Sequence, residues 1–564
     1  MMMSMIKRIF ALLLTVAMLV CVLAACSTPS TPVATDHTPL NGTTNTTTTE
    51  SSTATTQKQI TSVNITCGTS AIENFAATEL KWYFAQKNIA LDDNGYTVAV
   101  TIDASIPTGG YKISADDDGL VIAGGNERGL AYGLYAFLEK CLGVFFYSSN
   151  SKIITDGDVT IGYGVLDTFD PAFEIVRNPW YPIEQLPEKN GGNIHDNSIV
   201  KTFNLNALVE DGSALPCLSI PENVEKAIKK VRNYLLSGAA VDVLRFLPDA
   251  YTDCTCDDCV RILDEEGSAS GIYVRFLNAL SEAISPRFPE VKIELVVRDY
   301  LQQAPTLTKL ADGISVRLST ENCHISHPFT DESCPEALLF ANSVRGWSET
   351  CNNVYVDYVL TSTTDYIPTF ANLGTLRENI RFLAECGIES IAMSGNFACP
   401  SGEFGELRVY LTSKLLQNPT MSEEEYYAYM DSFLKNFYGE GWEYIRKFID
   451  KTIELAADGH QTASSNLFDA ITVDEYLDNE ETFDEWWNQA EALAGDRADF
   501  VKRARYQWRY IKLCLHPDAE EAQKLIADTS DSFNTRVGWR EKQWNVDINK
   551  SDLNLPPTEW IYKS

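Results

Sequence analysis

Past its first 25 residues the sequence has no apolar run approaching the ~20 residues that a membrane span needs. It is also poor in basic residues. Lys and Arg number 45 against 78 Asp and Glu, a formal net charge of −33. That balance excludes a nucleic-acid partner and electrostatic adhesion to anionic lipid. The GGNERG turn at 124–129 lacks the Walker lysine pattern and the spacing of a dinucleotide loop, which argues against nucleotide binding. No GxSxG occurs, so serine-nucleophile chemistry has no support. No repeat period emerges.

What is present begins with the compartment. Lys7 and Arg8 precede the apolar stretch Ile9 to Leu23, and Leu23-Ala24-Ala25-Cys26 forms a small-residue cleavage site ending in cysteine. This resembles a bacterial lipoprotein signal, which implies removal of residues 1–25 and lipidation of Cys26; an ordinary secretory signal or a membrane anchor is the alternative. The expected location is extracytoplasmic, with the membrane engaged only through the N-terminal lipid. Cleavage removes two positive charges and no acid, so −33 − 2 gives about −35 for the mature chain. Residues 26–58, rich in Ser, Thr and Pro, cannot bury enough apolar surface to offset chain entropy and read as a disordered stalk.

From 59 to 165 the pattern is that of a small α/β domain. Asn74 to Lys87 shows helical spacing of Phe75, Leu80, Tyr83 and Phe84; strands are expected at Tyr96 to Ile102, Tyr111 to Ser114 and Leu120 to Ala123. A helix follows, with Leu130, Leu134, Phe137 and Leu138 on one face. The stretch GLVIAGGNERGLAYGLYAFLEKCLG resembles the accessory α/β domain of family-20 hexosaminidases and α-glucuronidases. From 166 to 419 short apolar runs alternate with helical patterns. The runs are Phe173 to Val176, Val241 to Phe246, Ile293 to Val297, Ile314 to Leu318, Val354 to Val359 and Ser390 to Met393. That alternation predicts a (β/α)8-type barrel, with early strands between Tyr181 and Ala240 unplaced. Residues 420–564 read as a helical region. It opens on a Ser422/Glu425 capping box, and further helices are expected over Thr482 to Leu513 and Ala519 to Ala527. The fold class expected is α/β.

Five stretches carry a family resemblance: PCLSIPENVEKA, DAYTDCTCDDCVRI, YVRFLNALSEAI, RENIRFLAECGIESIAMSGNF and GEFGELRVYLTSKLLQNP. Over roughly residues 60–460 the chain resembles a bacterial family of glycoside-hydrolase type that carries a domain of unknown function numbered 4838. The resemblance implies a sugar-active barrel and supplies no mechanism.

Catalytic groups of such barrels sit where strands end. Acids there are Asp249, Asp299, Glu321, Asp357, Glu403 and Glu406. Glycoside hydrolysis needs two carboxyls flanking one bond, or one carboxyl acting with the substrate's own acetamido group. Asp249, beside a cysteine cluster, ranks first as a catalytic acid. Glu321, ending a strand, ranks second. Glu406 ranks third, with a plain helix-capping role and an Arg408 partner as the bland reading. Sugar-binding candidates are Trp180, Tyr181, His195, Tyr300, Tyr358 and Asn396, against packing roles for most of the aromatics and a solvent-exposed role for His195.

Setting aside Cys21 and Cys26, 14 − 2 leaves 12 cysteines. Cys254, Cys256 and Cys259 are too crowded to pair readily among themselves, and Cys217 is the natural fourth member. Four thiolates would make a closed structural zinc site; two disulfides or free buried thiols are the other readings. In each case the cluster braces a loop, and no catalytic cofactor is expected. The expected function is hydrolysis of a poly- or oligosaccharide, hexosaminide or uronic-acid type favoured. The rival is a non-catalytic glycan-binding lipoprotein; a cell-wall structural protein leaves the barrel pattern without a role.

Overall fold

The computed structural model describes residues 57–147, 152–173, 175–177, 198–209, 217–248, 254–298, 301–362, 367–395 and 402–533. Its first part is built on a six-stranded sheet. The strands are β2 (Ser62–Cys67), β3 (Ala90–Leu91), β4 (Tyr96–Ile102), β5 (Tyr111–Ala115), β6 (Gly119–Gly124) and β10 (Gly164–Phe169), in the order β10-β5-β6-β4-β2-β3. β1 (Gln57–Ile60) pairs with β9 (Val159–Gly162), and β7 (Val144–Phe146) with β8 (Lys152–Ile154). Helix α1 (Ala71–Gln86) starts on a Ser70/Glu73 capping box. It buries Leu80, Tyr83 and Phe84, whereas Phe75, expected on that face, is exposed.

The GGNERG turn serves packing. A Cβ on Gly124 would run into the Leu130 backbone, and one on Gly129 into the Gly110 carbonyl. The Asn126 side chain caps α2 (Glu127–Lys140), accepting from Gly129 N at 2.9 Å and from Gly109 N at 3.1 Å. The helix start that a phosphate would use is therefore occupied.

The second part is a parallel sheet of seven strands: β11 (Ile175–Arg177), β12 (Val200–Asn204), β13 (Val243–Leu247), β14 (Lys292–Val296), β15 (Ile314–Ser319), β16 (Asn353–Val359) and β17 (Ser390–Ser394). Their order is β12-β13-β14-β15-β16-β17-β11, so the first strand pairs with the last. The described residues supply seven of the strands and leave the eight-stranded closure unconfirmed: β11 takes the edge of β17 directly, and no β11–β12 ladder occurs among them. Helices α3 (Pro221–Leu236), α4 (Asp257–Glu266), α5 (Ser270–Ile284), α6 (Pro335–Thr350) and α7 (Leu376–Glu385) lie in the crossovers, and α8 (Gly405–Gln417) follows β17. The β14–β15 crossover has no α-helix among its described residues.

Strand alternation sorts the side chains. Leu244, Phe246, Leu295, Val316, Leu318, Val356, Tyr358, Ile391 and Met393 are all buried in the apolar core on one face. The opposite face, inside the curl of the sheet, carries charge.

The third part is helical: α9 (Glu423–Tyr438), α10 (Trp442–Leu455), α11 (Val473–Leu493), α12 (Ala498–Ala504), α13 (Tyr506–Leu515) and α14 (Ala519–Phe533). Phe448, Phe483, Trp487 and Trp508 form its aromatic centre. The run Thr482 to Leu513 is broken at Gly495, whose φ of +53° ends the helical path. Among the described residues no helix is long and apolar enough to cross a membrane.

Candidate functional site

Four successive parallel strands each place one charged residue on the inner face: Arg245 on β13, Glu294 on β14, Arg317 on β15 and Asp357 on β16. Arg245 pairs with Glu294 Oε1; Arg317 donates to Glu294 Oε2 at 2.8 Å and to Asp357 Oδ1 at 2.6 Å. The row is buried at its centre and partly exposed at both ends, Arg245 keeping 28% of its side chain exposed. Glu294 keeps 2% of its side chain exposed and Arg317 9%, while Asp357 keeps 36%. Burial alone would raise the Glu294 pKa, but Arg317 and Arg245 outweigh it and hold the carboxyl below the usual range. Asp357 goes the other way. Burial raises its pKa, and the attraction of Arg317 offsets that only in part. Asp357 is thus partly open to solvent and otherwise enclosed by protein. Among the described residues nothing donates to its second oxygen.

Glu321 leaves the next strand at the same end of the sheet. Ser319, the last residue of β15, pairs with Asp357; Thr320 N then donates to Asp357 O at 3.0 Å, and Val359 N donates to Thr320 Oγ1 at 2.8 Å. These bonds extend the β15–β16 ladder to the foot of Glu321, which is half-buried. Its carbonyl accepts from Ala463 N at 3.2 Å, tying the strand end to the loop after α10.

Glu406 lies elsewhere. It is buried in the first turn of α8, and its pKa is pushed up to about 7 by burial, against the pull of Arg503 on α12. Arg408 is not its partner. The guanidinium turns back onto Glu403, donating from Nε to Oε2 at 2.8 Å and from Nη2 to Oε1, and also reaches Asn372 and the Phe370 carbonyl. Phe370 N donates to Glu403 Oε1 at 2.7 Å. Glu403 adopts φ +52°, and this network holds it there. The group joins a loop to a helix, and among the described residues no hydrogen bond links it to the inner charge row.

The thiols of Cys217, Cys254, Cys256 and Cys259 converge, all four within 4.8 Å of one another. Cys217 Sγ is 3.4 Å from both Cys256 Sγ and Cys259 Sγ, and no disulfide joins any cysteine among the described residues. Cys256 caps α4, and the Cys259 amide it accepts draws its pKa down to about 6. Burial pushes the Cys259 thiol up. A tetrahedral zinc with bonds of about 2.3 Å would hold sulfurs roughly 3.7 Å apart, close to what is seen.

The profile of the domain of unknown function DUF4838 matches residues 146–450. The chain belongs to this family. The DUF4838 region takes in the whole parallel sheet, the cysteine cluster, Glu321 and Asp357. No curated protein matches the chain. Among solved structures it is similar to a GH138 enzyme targeting pectin rhamnogalacturonan II, at 9% identity, covering 84% of this chain and 91% of that one with a TM-score of 0.38. It is similar to CpGH84B at 12% identity, covering 85% and 93%, TM-score 0.40. A third is the GH20 exo-β-N-acetylglucosaminidase from Vibrio harveyi, at 11% identity, covering 67% and 74%, TM-score 0.36. These neighbours are glycoside hydrolases.

Within the DUF4838 region the sugar-binding expectation for Tyr358 is corrected. Its side chain points away from the inner face, is 3% exposed, and its hydroxyl accepts from Asn379 Nδ2 at 2.9 Å. It is a packing residue because strand alternation puts it opposite Asp357. Asp249, Trp180, Tyr181, His195, Tyr300 and Asn396 lie outside the described residues, as does Cys26. The inner row was readable in part. VLRFL, KIELV, ISVRLS and NVYVDYV each set a charge inside an apolar strand, a costly placement unless the charges meet.

Proposed function

We propose that this DUF4838 protein is a surface-tethered glycoside hydrolase whose site lies where β15 and β16 end, with Asp357 and Glu321 as its carboxyl pair. One observation carries the reading: Asp357 is the solvent-reaching carboxylate of a row of inward charges buried at its centre, and Glu321 leaves the adjacent strand at the same end. Arg317 holds one oxygen of Asp357 and leaves the other to act, which suits the ionised partner, base or nucleophile. Glu321, at the rim, is the proton donor to the leaving oxygen. The anomeric C–O bond breaks as that oxygen is protonated; water then adds to the anomeric carbon, giving its proton to Asp357 acting as base, or to Glu321 when Asp357 has first formed a glycosyl-enzyme. The likeness of residues 119–143 to hexosaminidase and α-glucuronidase accessory domains favours a hexosaminide or uronic-acid glycan. In this reading Cys26 carries the lipid that tethers the protein outside the cytoplasm. The four-thiol cluster holds a structural zinc with no open position for chemistry, joining the segment before α3 to the start of α4.

The test is turnover of a glycan and aryl-glycoside panel by the detergent-solubilised full chain, beside Asp249→Asn, Glu321→Gln, Asp357→Asn and Glu406→Gln. Loss in Asp357→Asn and Glu321→Gln alone, with the fold intact, supports the pair. Loss confined to Asp249→Asn or Glu406→Gln moves the site. Tight binding of a panel glycan without any turnover makes the protein a glycan-binding lipoprotein.

A further inference from the structure

Three of the chain's six histidines meet at one place. His324 and His327 lie in the loop between β15 and α6, and His460 in the loop after α10. Cys334, the residue before α6, and Glu336, in its first turn, complete the group. The donor atoms converge on His324. Its Nδ1 is 3.2 Å from Cys334 Sγ, 3.7 Å from Glu336 Oε2 and 3.2 Å from His460 Nδ1; Cys334 Sγ is 4.0 Å from Glu336 Oε2.

Hydrogen bonding does not account for this arrangement. A neutral imidazole nitrogen offers one lone pair or one N–H. Here a thiol, a carboxylate and a second imidazole nitrogen all crowd the same Nδ1. His327 provides the contrast: its Nδ1 meets Asp331 Oδ2 at 2.8 Å and its Nε2 meets the Gly459 carbonyl at 3.0 Å, so each nitrogen has its own acceptor and neither is free for a ligand. His324, Cys334 and Glu336 place their donor atoms 3.2, 3.7 and 4.0 Å apart, within a few tenths of an ångström of the roughly 3.3–3.7 Å that bonds of about 2.0–2.3 Å set around one tetrahedral ion.

We infer that His324 Nδ1, Cys334 Sγ and Glu336 Oε2 form a site for a divalent transition metal, zinc by its mixed nitrogen, sulfur and oxygen donors. Cys334 is 1% exposed and His324 11%, while Glu336 is 52% exposed and His460 lies open beside them. The inner ligands are preset and the outer side is accessible, so a fourth position is left for water or for His460. Ile325 N bonds the Gln461 carbonyl at 2.9 Å and Ser326 Oγ the Gly459 carbonyl at 2.8 Å. With His460 as the fourth ligand, an ion here would staple these two loops together three residues from Glu321. The site does not depend on the barrel being a hydrolase, because its readout is bound metal.

The experiment uses the full chain, stripped with a chelator and dialysed against zinc or cobalt, with the four-thiol cluster intact in every variant so that its contribution cancels. Bound metal is counted by mass spectrometry for wild type, His324→Ala, Cys334→Ser and the surface change Glu336→Ala. The expected result is one equivalent fewer per chain in the first two variants and at least roughly 10-fold weaker binding in Glu336→Ala. The wild-type minus Cys334→Ser cobalt spectrum should carry a thiolate-to-cobalt band. Equal stoichiometry in all four proteins, or recovery of Cys334 in a disulfide, overturns the site. Glu336→Ala keeps the test open should a buried variant fail to fold.

Discussion

Arg317 reaches across the sheet in two directions, to Glu294 on one neighbouring strand and to Asp357 on the other, at 2.8 and 2.6 Å. Among the described residues it is the only link between the Arg245–Glu294 pair and Asp357. Arg317→Met should therefore leave Glu294 with Arg245 alone and cost on the order of 3–5 kcal/mol, read by urea unfolding. It also removes the main influence that lowers the Asp357 pKa. The acid limb of the rate profile should move to higher pH. Arg317→Lys should restore much of that position; an unmoved limb would show that Asp357 does not govern the rate.

Asp357→Asn keeps the shape of the row and takes away its open carboxylate. Turnover should fall by roughly a thousandfold or more, as for a lost catalytic group, while the thermal midpoint moves little. A variant retaining a tenth of wild-type activity would remove Asp357 from the mechanism.

Glu406 should govern stability rather than turnover. Its folded pKa is about 7 against an ordinary 4.5, so the folded state binds the extra proton between those values. Stability from this group is then highest below about pH 4.5, falls as pH rises to about 7, and levels off above it. The span is on the order of 3 kcal/mol. Glu406→Gln should flatten that slope and be the more stable protein at pH 8, with its hydrolysis rate unchanged.

Tyr358→Phe leaves the Asn379 amide without its buried acceptor. The expected cost is about 1–3 kcal/mol with no change in KM for any glycan. A raised KM would return Tyr358 to the binding surface.

Chelation should expose the four clustered thiols to a colorimetric thiol reagent together and lower the melting temperature. Cys256→Ser should do the same without chelator. Thiols that react one at a time, at a rate chelator does not alter, would exclude a bound metal.

Six of the seven parallel strands were legible because each is a short apolar run between turn signals. β12 was not. Val200–Asn204 reads VKTFN, where Lys201, Thr202 and Asn204 leave neither strict alternation nor a continuous apolar stretch to mark it. The third part shows the limit of periodicity: the pattern from Thr482 to Leu513 continues through Gly495, and only the backbone path reveals the break.

The sequence by itself determined which segments form strands and which form helices, since period and turn chemistry are local properties of the chain. It also placed three cysteines on one short loop and a fourth before α3. Only the tertiary structure decided that β11 lies beside β17, that Arg408 belongs to Glu403, and that His460 stands against His324 136 residues earlier. Those are choices among many chemically equivalent partners. They are settled by how the strands order themselves and by where buried charges find one another, and neither is written in the spacing of residues along the chain.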